Sequence, residues 1–344
     1  MKEVVKTPYY EDLTRISNSN IGIFLRKGAR YLGDTLKGIQ EGLKAKYLDK
    51  GSMVHMYLLQ KDEFWDNYEI LTFETPSSKQ QLQFAEMYVD STDLDDDRRI
   101  LSAYQAAYST KGKSDEKSLS EGLELRNKLD DYIKYLQIER TSNKKVISFS
   151  DLNQLKTIET NIRAHKKANE LLYKQPETSN VYSEFHINWD FVDCDFSVAC
   201  KSLIDRLVID HTTKKITLID LKTTVDVHNF EHSIEEFDYI RQLAYYSLAI
   251  ESYFEVELGL KFSDYTIEYY IVAVQNNGTN NVRVIKFSQD DIYKKYKIIE
   301  DALREIEWHI TTDQWDYPKS YYTGDGSEDY KVKTDIKCTK QTVQ

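Results

Sequence analysis

The chain has 344 residues, of which 40% are hydrophobic and 30% are charged, and its formal net charge is −11. This composition supports a large buried core and excludes an intrinsically disordered chain. No apolar run is long enough to span a membrane and no secretory leader is present, so we expect an intracellular protein. Three cysteines without a Cys-x-x-Cys pair exclude a disulfide framework and a zinc ribbon.

Helical patterns dominate the N-terminal half. Two helices are predicted within residues 20–60, followed by a strand over residues 68–73. Residues 80–145 have helical spacing with charge-rich breaks, which predicts a helical insertion. A longer helix is predicted over Phe149–Tyr173, with Ser150 as its N-cap.

The C-terminal half predicts a β-sheet. Residues His211–Lys215 predict a hairpin turn, and Asn276–Gly278 predict a second turn. A helix containing Gln242 is expected between the third and fourth strands, and a last helix over Gln289–Ile310. The predicted strands lie near residues 182–191, 196–209, 215–223, 265–274 and 281–287.

The domain prediction follows from these elements. We interpret residues 1–320 as a single domain whose catalytic core spans residues 182–310. Residues 321–344 are predicted to form a polar C-terminal tail. No P-loop motif occurs, so the sequence predicts no helicase motor in this chain.

Two carboxylates and a lysine mark the ends of two neighbouring predicted strands. Asp220 and Lys222 are two residues apart, so on a strand they share one face. If the predicted hairpin forms, Asp205 on the preceding strand joins them. Clustered carboxylates repel one another unless a cation lies between them, and their oxygens suit Mg²⁺ or Mn²⁺. The pattern predicts a site that hydrolyses phosphodiesters, with Lys222 acting on the water or on the phosphoryl charge.

Each of these residues also has a purely structural interpretation. An Asp-x-Lys pair is common on the exposed face of an antiparallel strand. His55 follows Val54 in a mostly apolar helix, where a histidine is often a packed core residue. Gln242 and Tyr246 lie one turn apart and could form the polar stripe of an amphipathic helix. Context therefore has to decide among these interpretations.

The combination of motifs resembles the RecB-like nucleases of the PD-(D/E)xK superfamily. The pattern is a Gly-x-x-x-His at Gly51 to His55, then Asp205, then Asp220-x-Lys222, and then Gln242-x-x-x-Tyr246. The wider sequence, over roughly residues 10 to 320, is similar to phage and prophage exonucleases of the RecE type. The departures are Ile204 in place of the name-giving proline and an aspartate at position 220, and both substitutions are common in the RecB-like branch.

This resemblance implies an α/β restriction-endonuclease-like fold: a mixed central sheet flanked by helices, with a helical N-terminal region and an insertion. It implies His55, Asp205 and Asp220 as metal ligands, with Glu184 as a less firmly transferred fourth. It further implies Lys222 as the catalytic lysine, together with Asp220 and Asp205, and a DNA-binding role for the helix motif of Gln242 and Tyr246.

The implied activity is Mg²⁺- or Mn²⁺-dependent exonucleolytic digestion of linear double-stranded DNA in recombination or repair, in the cytoplasm of a bacterial or phage-infected cell. The implied partners are DNA, a single-strand annealing protein and further copies of the chain, with no membrane. Three cysteines cannot hold the four-cysteine iron-sulfur cluster of some relatives, so no such cluster is expected.

Three alternatives remain open at this point. One is a structure-specific or single-strand DNA endonuclease. A second is a non-catalytic DNA-binding or assembly factor with the same fold, and the third is a hydrolase of small phosphate compounds. The net charge of −11 argues against a protein that holds a polyanion, but affinity for DNA depends on local phosphate contacts rather than on total charge.

Overall fold

The computed structural model describes residues 9–39, 46–73, 75–142 and 144–327. Its centre is a five-stranded mixed sheet in the order β3-β4-β5-β6-β7. The β5–β6 pair is parallel, and the other neighbouring pairs are antiparallel. The prediction of a mixed sheet flanked by helices is confirmed. The strands are β3 (Ser179–Asp193), β4 (Phe196–Asp210), β5 (Lys215–Thr224), β6 (Thr266–Gln275) and β7 (Val282–Phe287).

The helices before the sheet fall into three groups. The N-terminal group is α1 (Asn18–Lys27), α2 (Ala29–Leu36), α3 (Lys46–Leu59) and α4 (Lys61–Asn67). The insertion contains α5 (Lys79–Asp90), α6 (Asp96–Ala107), α7 (Asp115–Lys128) and α8 (Asp130–Thr141), which share a hydrophobic core of their own. It is framed by the short parallel strands β1 (Tyr68–Ile70) and β2 (Lys145–Ile147). The helices α9 (Phe149–Ala164) and α10 (Lys166–Tyr173) then lead into the sheet.

The remaining helices follow β5 and β7. The first pair, α11 (Phe230–Phe237) and α12 (Tyr239–Val256), forms the crossover that makes β6 parallel to β5. The last three are α13 (Gln289–Tyr293), α14 (Tyr296–Thr312) and α15 (Lys319–Thr323). None of the helices in the described ranges has the length and apolar character needed to cross a bilayer.

The sheet separates two hydrophobic cores because alternate residues of each strand face opposite layers. Leu218 of β5 lies in the core formed with α1, α2, α12 and α14. Ile219 and Leu221 lie in the other core, with α3, α9 and α10. Asp220 and Lys222 therefore lie on the α12 side of β5, as the alternation predicts.

Several predicted boundaries are corrected by the structure. The helix predicted over Phe149–Tyr173 is interrupted at His165, whose Nδ1 accepts a hydrogen bond from the N–H of Ala168 and so caps α10. Its N-cap is Ser148 rather than Ser150, because Ser148 and Asp151 form a capping box. The helix predicted over Gln289–Ile310 is likewise two helices.

Other differences concern the ends of the chain and the number of helices. The described residues within 20–60, up to 39 and from 46 onward, contain three helices rather than two, and the strand predicted over 68–73 ends at Ile70. The short helix α11 was not predicted. At the C-terminus, α15 runs across the predicted boundary at residue 320, and residues 328–344 of the predicted tail lie outside the described residues.

Candidate active site

Asp220 and Lys222 form a buried ion pair on β5. Nζ of Lys222 lies 2.6 Å from Oδ2 of Asp220, and the Asp220 side chain is only 1% exposed. Both side chains project from the same face of the strand, as predicted. The pair lies beyond the point where β4 and β5 stop pairing.

The two strands diverge at the predicted acidic residues. Regular pairing of β4 with β5 ends at Arg206 and Ile219, one position before Asp205 would pair with Asp220. The N–H of Leu221 instead donates to Oδ2 of Asp205 at 2.7 Å. The backbone N–H of Leu221 therefore fixes the carboxylate of Asp205 at the point where the two strands diverge.

Glu184 lies opposite Asp205 on β3, at an interruption of the regular strand geometry. Its φ of 47° is left-handed, and it is missing from a ladder that pairs Ser183 with Arg206 and Phe185 with Ile204. A left-handed backbone conformation is uncommon for residues other than glycine, and backbone strain of this kind is often found at functional sites. The register is the same on both sides of the interruption, so Glu184 and Asp205 remain cross-strand neighbours.

His55 approaches these carboxylates from the opposite layer, on α3. Its Nδ1 lies 3.7 Å from Oε1 of Glu184 and 3.7 Å from Oδ2 of Asp205. Val54 and its neighbours bury α3 in the second core, and Gly51, one turn before His55, lets the helix approach β5 closely. A Cβ at Gly51 would lie 3.3 Å from Oγ1 of Thr223. The opening between β4 and β5 is therefore reached by α3 from one layer and by α12 from the other.

Burial and charge set the ionisation of this cluster. Burial raises the pKa of Asp220 to about 6, with Lys222 opposing and Asp205 reinforcing the rise. Burial lowers the pKa of the His55 imidazole, but the negative charges of Asp205 and Glu184 outweigh burial and leave it raised. For Lys222, burial is likewise outweighed by Asp220 and Asp205, so its pKa is raised and the amine is protonated.

The donor set fits a divalent cation. One ligand atom each from His55, Glu184 and Asp205 lies within 4.8 Å of the others, and the 3.7 Å separations from the imidazole are too long for hydrogen bonds. Apart from the ion pair with Lys222, neither buried oxygen of Asp220 accepts a hydrogen bond in the described part of the chain. Carboxylate oxygens are the usual protein ligands of Mg²⁺ and Mn²⁺. Asp220 is not one of the three mutually close residues, but the negative charge of Asp205 contributes to the raised pKa of its carboxyl.

The predicted DNA-binding pair lies on the first turns of α12. Nε2 of Gln242 donates to the hydroxyl of Tyr246 at 2.9 Å. Tyr246 is 6% exposed, and its pKa is raised well above the usual value by burial and then by the charges of Asp205 and Asp220. Its hydroxyl therefore lies near the acidic cluster rather than at the surface, whereas Gln242 is partly exposed. Their roles remain a prediction.

Two further groups near the cluster were not identified from the sequence. The ring of Tyr239 lies 5.0 Å from Nζ of Lys222, and the backbone N–H of Leu221 holds Asp205. Tyr239 is three residues before Gln242, so its position on the same helical face was a usable signal. The Leu221 interaction had no sequence signal, because every non-proline residue carries the same backbone donor.

A mixed five-stranded sheet flanked by helices, with acidic residues and a lysine on adjoining strands, is the architecture of the PD-(D/E)xK nuclease superfamily. The chain belongs to the family described as a PDDEXK-like domain of unknown function (DUF3799), which matches residues 17–320. Membership of the superfamily, which the resemblance of the sequence motifs implied, is thereby confirmed.

The chain also resembles solved structures. It is similar to the crystal structure of a protein from Eubacterium rectale described as a "Putative exonuclease", with a TM-score of 0.50, 13% sequence identity and 96% of each chain covered. At that identity the likeness concerns the fold alone. The structure of SSO0001 gives a TM-score of only 0.23, with 9% identity over 67% of this chain and 86% of that one, and carries no argument. No curated protein matches the sequence.

Proposed function

We propose that the chain is a divalent-metal-dependent deoxyribonuclease that digests linear double-stranded DNA from its ends. The observation that carries this proposal is the convergence of His55, Glu184 and Asp205 beside the Asp220–Lys222 pair. These residues come from sequence positions up to 167 apart, and they meet where two strands of a PDDEXK-like fold diverge. A chance grouping of exposed polar side chains would not be buried to this extent.

His55, Glu184, Asp205 and Asp220 are the residues that would hold Mg²⁺ or Mn²⁺. When bound, such an ion supplies a more acidic water and offsets negative charge on the phosphoryl oxygens. The imidazole of His55 must be neutral to bind a metal, so protonation of this ring, whose pKa is raised by the charges of Asp205 and Glu184, competes with metal binding. The carboxylate of Asp220 is buried and has Lys222 as its cationic partner in the described part of the chain, so a bound metal ion would share this carboxylate with the lysine.

In hydrolysis, water oxygen bonds to phosphorus and one bridging P–O bond breaks, with a water proton passing to the leaving oxygen. The protonated amine of Lys222 is the group suited to stabilise negative charge on the phosphoryl oxygens. The N–H of Leu221 keeps Asp205 oriented, so this carboxylate does not have to reorganise during the reaction. Gln242 offers a neutral donor for a neighbouring phosphate oxygen.

The preference for DNA ends rests on the resemblance to RecE-type enzymes, and the structure described as a "Putative exonuclease" is in keeping with it. On the same basis we propose a role in recombination or repair, cooperation with a single-strand annealing protein, and a homo-oligomeric state. A protein with a net charge of −11 needs local contacts to hold DNA, and a bound cation at the acidic cluster would reverse the local field there.

The test is digestion of end-labelled linear duplex beside closed circular duplex, with Mg²⁺, with EDTA, and with the Asp220→Ala variant. Metal-dependent loss of the linear DNA alone supports the proposal, and the label gives the polarity. Nicking of circular DNA would replace it with an endonuclease. DNA binding without cleavage of either substrate would replace it with a non-catalytic assembly factor.

A further inference from the structure

The ammonium group of Lys222 is held between two partners on different elements. On one side Oδ2 of Asp220 lies 2.6 Å from Nζ, and on the other the ring of Tyr239 lies 5.0 Å away. The face of an aromatic ring attracts a cation within about 6 Å of its centroid. The lysine side chain is 17% exposed, so this attraction operates where water screens it only partly.

The ring of Tyr239 is itself fixed. It stacks against Phe230 with the ring centroids 5.8 Å apart and an interplanar angle of 24°. It also stacks against Phe237, at the same separation and an angle of 29°. Phe230 is 1% exposed, so this partner of the Tyr239 ring belongs to the hydrophobic core. Tyr239 is the first residue of α12, and the side chain of Asp238 caps that helix. Its ring is therefore part of a rigid support.

We propose that Tyr239 is a positioning residue for Lys222, keeping the amine directed into the site when Asp220 binds a metal ion. This inference rests on the proposed function. An Asp220 that coordinates a cation shares its charge, and its hold on the lysine weakens. A lysine side chain has four rotatable bonds and loses much rotamer freedom when it is ordered. The ring supplies an attraction that does not depend on Asp220.

Substitutions of Tyr239 can distinguish this role from two simpler ones. A residue that only filled space would work equally well as an aliphatic side chain of similar size. A residue that touched DNA through its hydroxyl would need that hydroxyl. A positioning ring needs its aromatic face alone, so phenylalanine should replace Tyr239 and leucine should not.

The experiment compares wild type with Tyr239→Phe and Tyr239→Leu, using Tyr31→Leu as a matched control. Tyr31 has the same kind of contact, with Nζ of Lys27 3.8 Å from its ring, on the helices α1 and α2. We expect Tyr239→Leu to lower kcat about 10-fold. We expect Tyr239→Phe to keep most of the rate and Tyr31→Leu to have no effect. The Kd for duplex DNA, measured in Ca²⁺, should change by less than about 2-fold in every variant.

A second measurement does not need turnover. In protein carrying ¹³C-lysine, the Lys222 side-chain signal is assigned by its loss in Lys222→Arg. The ring current of Tyr239 should shift this signal upfield in wild type and in Tyr239→Phe, but not in Tyr239→Leu. A wild-type enzyme that cleaves DNA without that upfield shift would overturn the inference. So would a Tyr239→Leu variant with unchanged kcat, or a Tyr239→Phe variant as slow as Tyr239→Leu. A catalytically inactive wild type with the shift intact would overturn the proposed function and still support the lysine–ring contact.

Discussion

Replacing Asp220 by asparagine should stabilise the metal-free protein while removing its response to metal. The pKa of this buried carboxyl is raised from 3.8 to about 6, mainly by burial. A carboxyl whose pKa is higher in the folded state contributes stability below pH 4, and that contribution is lost as the pH rises through 6. At neutral pH the difference amounts to about 3 kcal/mol favouring a permanently neutral side chain.

The asparagine variant keeps the size of the side chain and removes this cost. Lys222 retains the nearby charge of Asp205, so its amine is not left without a counter-charge. We expect Asp220→Asn to unfold at a higher temperature than wild type in EDTA at pH 7.5. The gain should be about 1–3 kcal/mol, or roughly 1.5–4 °C for a chain of this length. Near pH 4, where the carboxyl of wild type is protonated, the difference should largely vanish.

The assay is thermal unfolding followed by circular dichroism at pH 4 and pH 7.5, with EDTA or with excess Mg²⁺ or Mn²⁺. Metal should raise the unfolding temperature of wild type, because a ligand that binds only the folded state stabilises it by mass action. It should raise that of Asp220→Asn much less. Asp264→Asn, at an exposed aspartate, is the matched control. A variant that is less stable than wild type in EDTA at neutral pH would refute the electrostatic argument. An undiminished metal response would exclude Asp220 as a ligand.

Three further predictions concern the lysine, the histidine and the insertion. Lys222→Ala should abolish cleavage in Mg²⁺ while circular dichroism and metal-induced stabilisation persist; unchanged activity would remove the lysine from the mechanism. His55→Ala should raise the Mg²⁺ concentration for half-maximal cleavage, by roughly 10-fold if a direct ligand is lost. An unaltered Mg²⁺ titration would show that His55 is a packed core residue and not a metal ligand. Gly122→Ala should lower the free energy of unfolding by about 1–2 kcal/mol, because its Cβ would lie 2.6 Å from Cγ2 of the buried Ile100. Gly278→Ala, with open space around the new Cβ, is its control in denaturant titrations.

The sheet was predictable because local patterns encode it. Each strand has alternating or continuous apolar residues bounded by turn signals, and the hairpin at His211–Lys215 fixes the register of β4 against β5. That register places Asp205 opposite Asp220. The grouping of Asp205, Asp220 and Lys222 could therefore be predicted from spacing within 18 residues. The contribution of His55 could be inferred only from the resemblance, since 150 residues separate it from Asp205.

Other features had no local signal that would have revealed them. The left-handed backbone of Glu184 has no signal in its residue type, because glutamate does not favour that conformation. The stacking of Tyr239 against Phe230 and Phe237 depends on how α11 meets α12. The cap at Ser148 is a different case, because Ser-x-x-Asp is a local capping signature that the choice of Ser150 overlooked.

The segment before α1 contains partners that the sheet needs. Lys201 of β4 is 5% exposed, and its ammonium donates to the backbone carbonyl oxygens of Tyr9, at 2.6 Å, and Asp12. The parallel bridge between Ile16 and Cys200 continues this contact. A protein shortened to residue 17, where the family match begins, would lack both carbonyl acceptors of this ammonium together with the Tyr9 ring that covers it. Residues 9–16 therefore contact the sheet as a bound peptide ligand would, except that they are covalently joined to it. A synthetic peptide of that sequence, added in trans, would be expected to restore stability to the shortened protein in a concentration-dependent way.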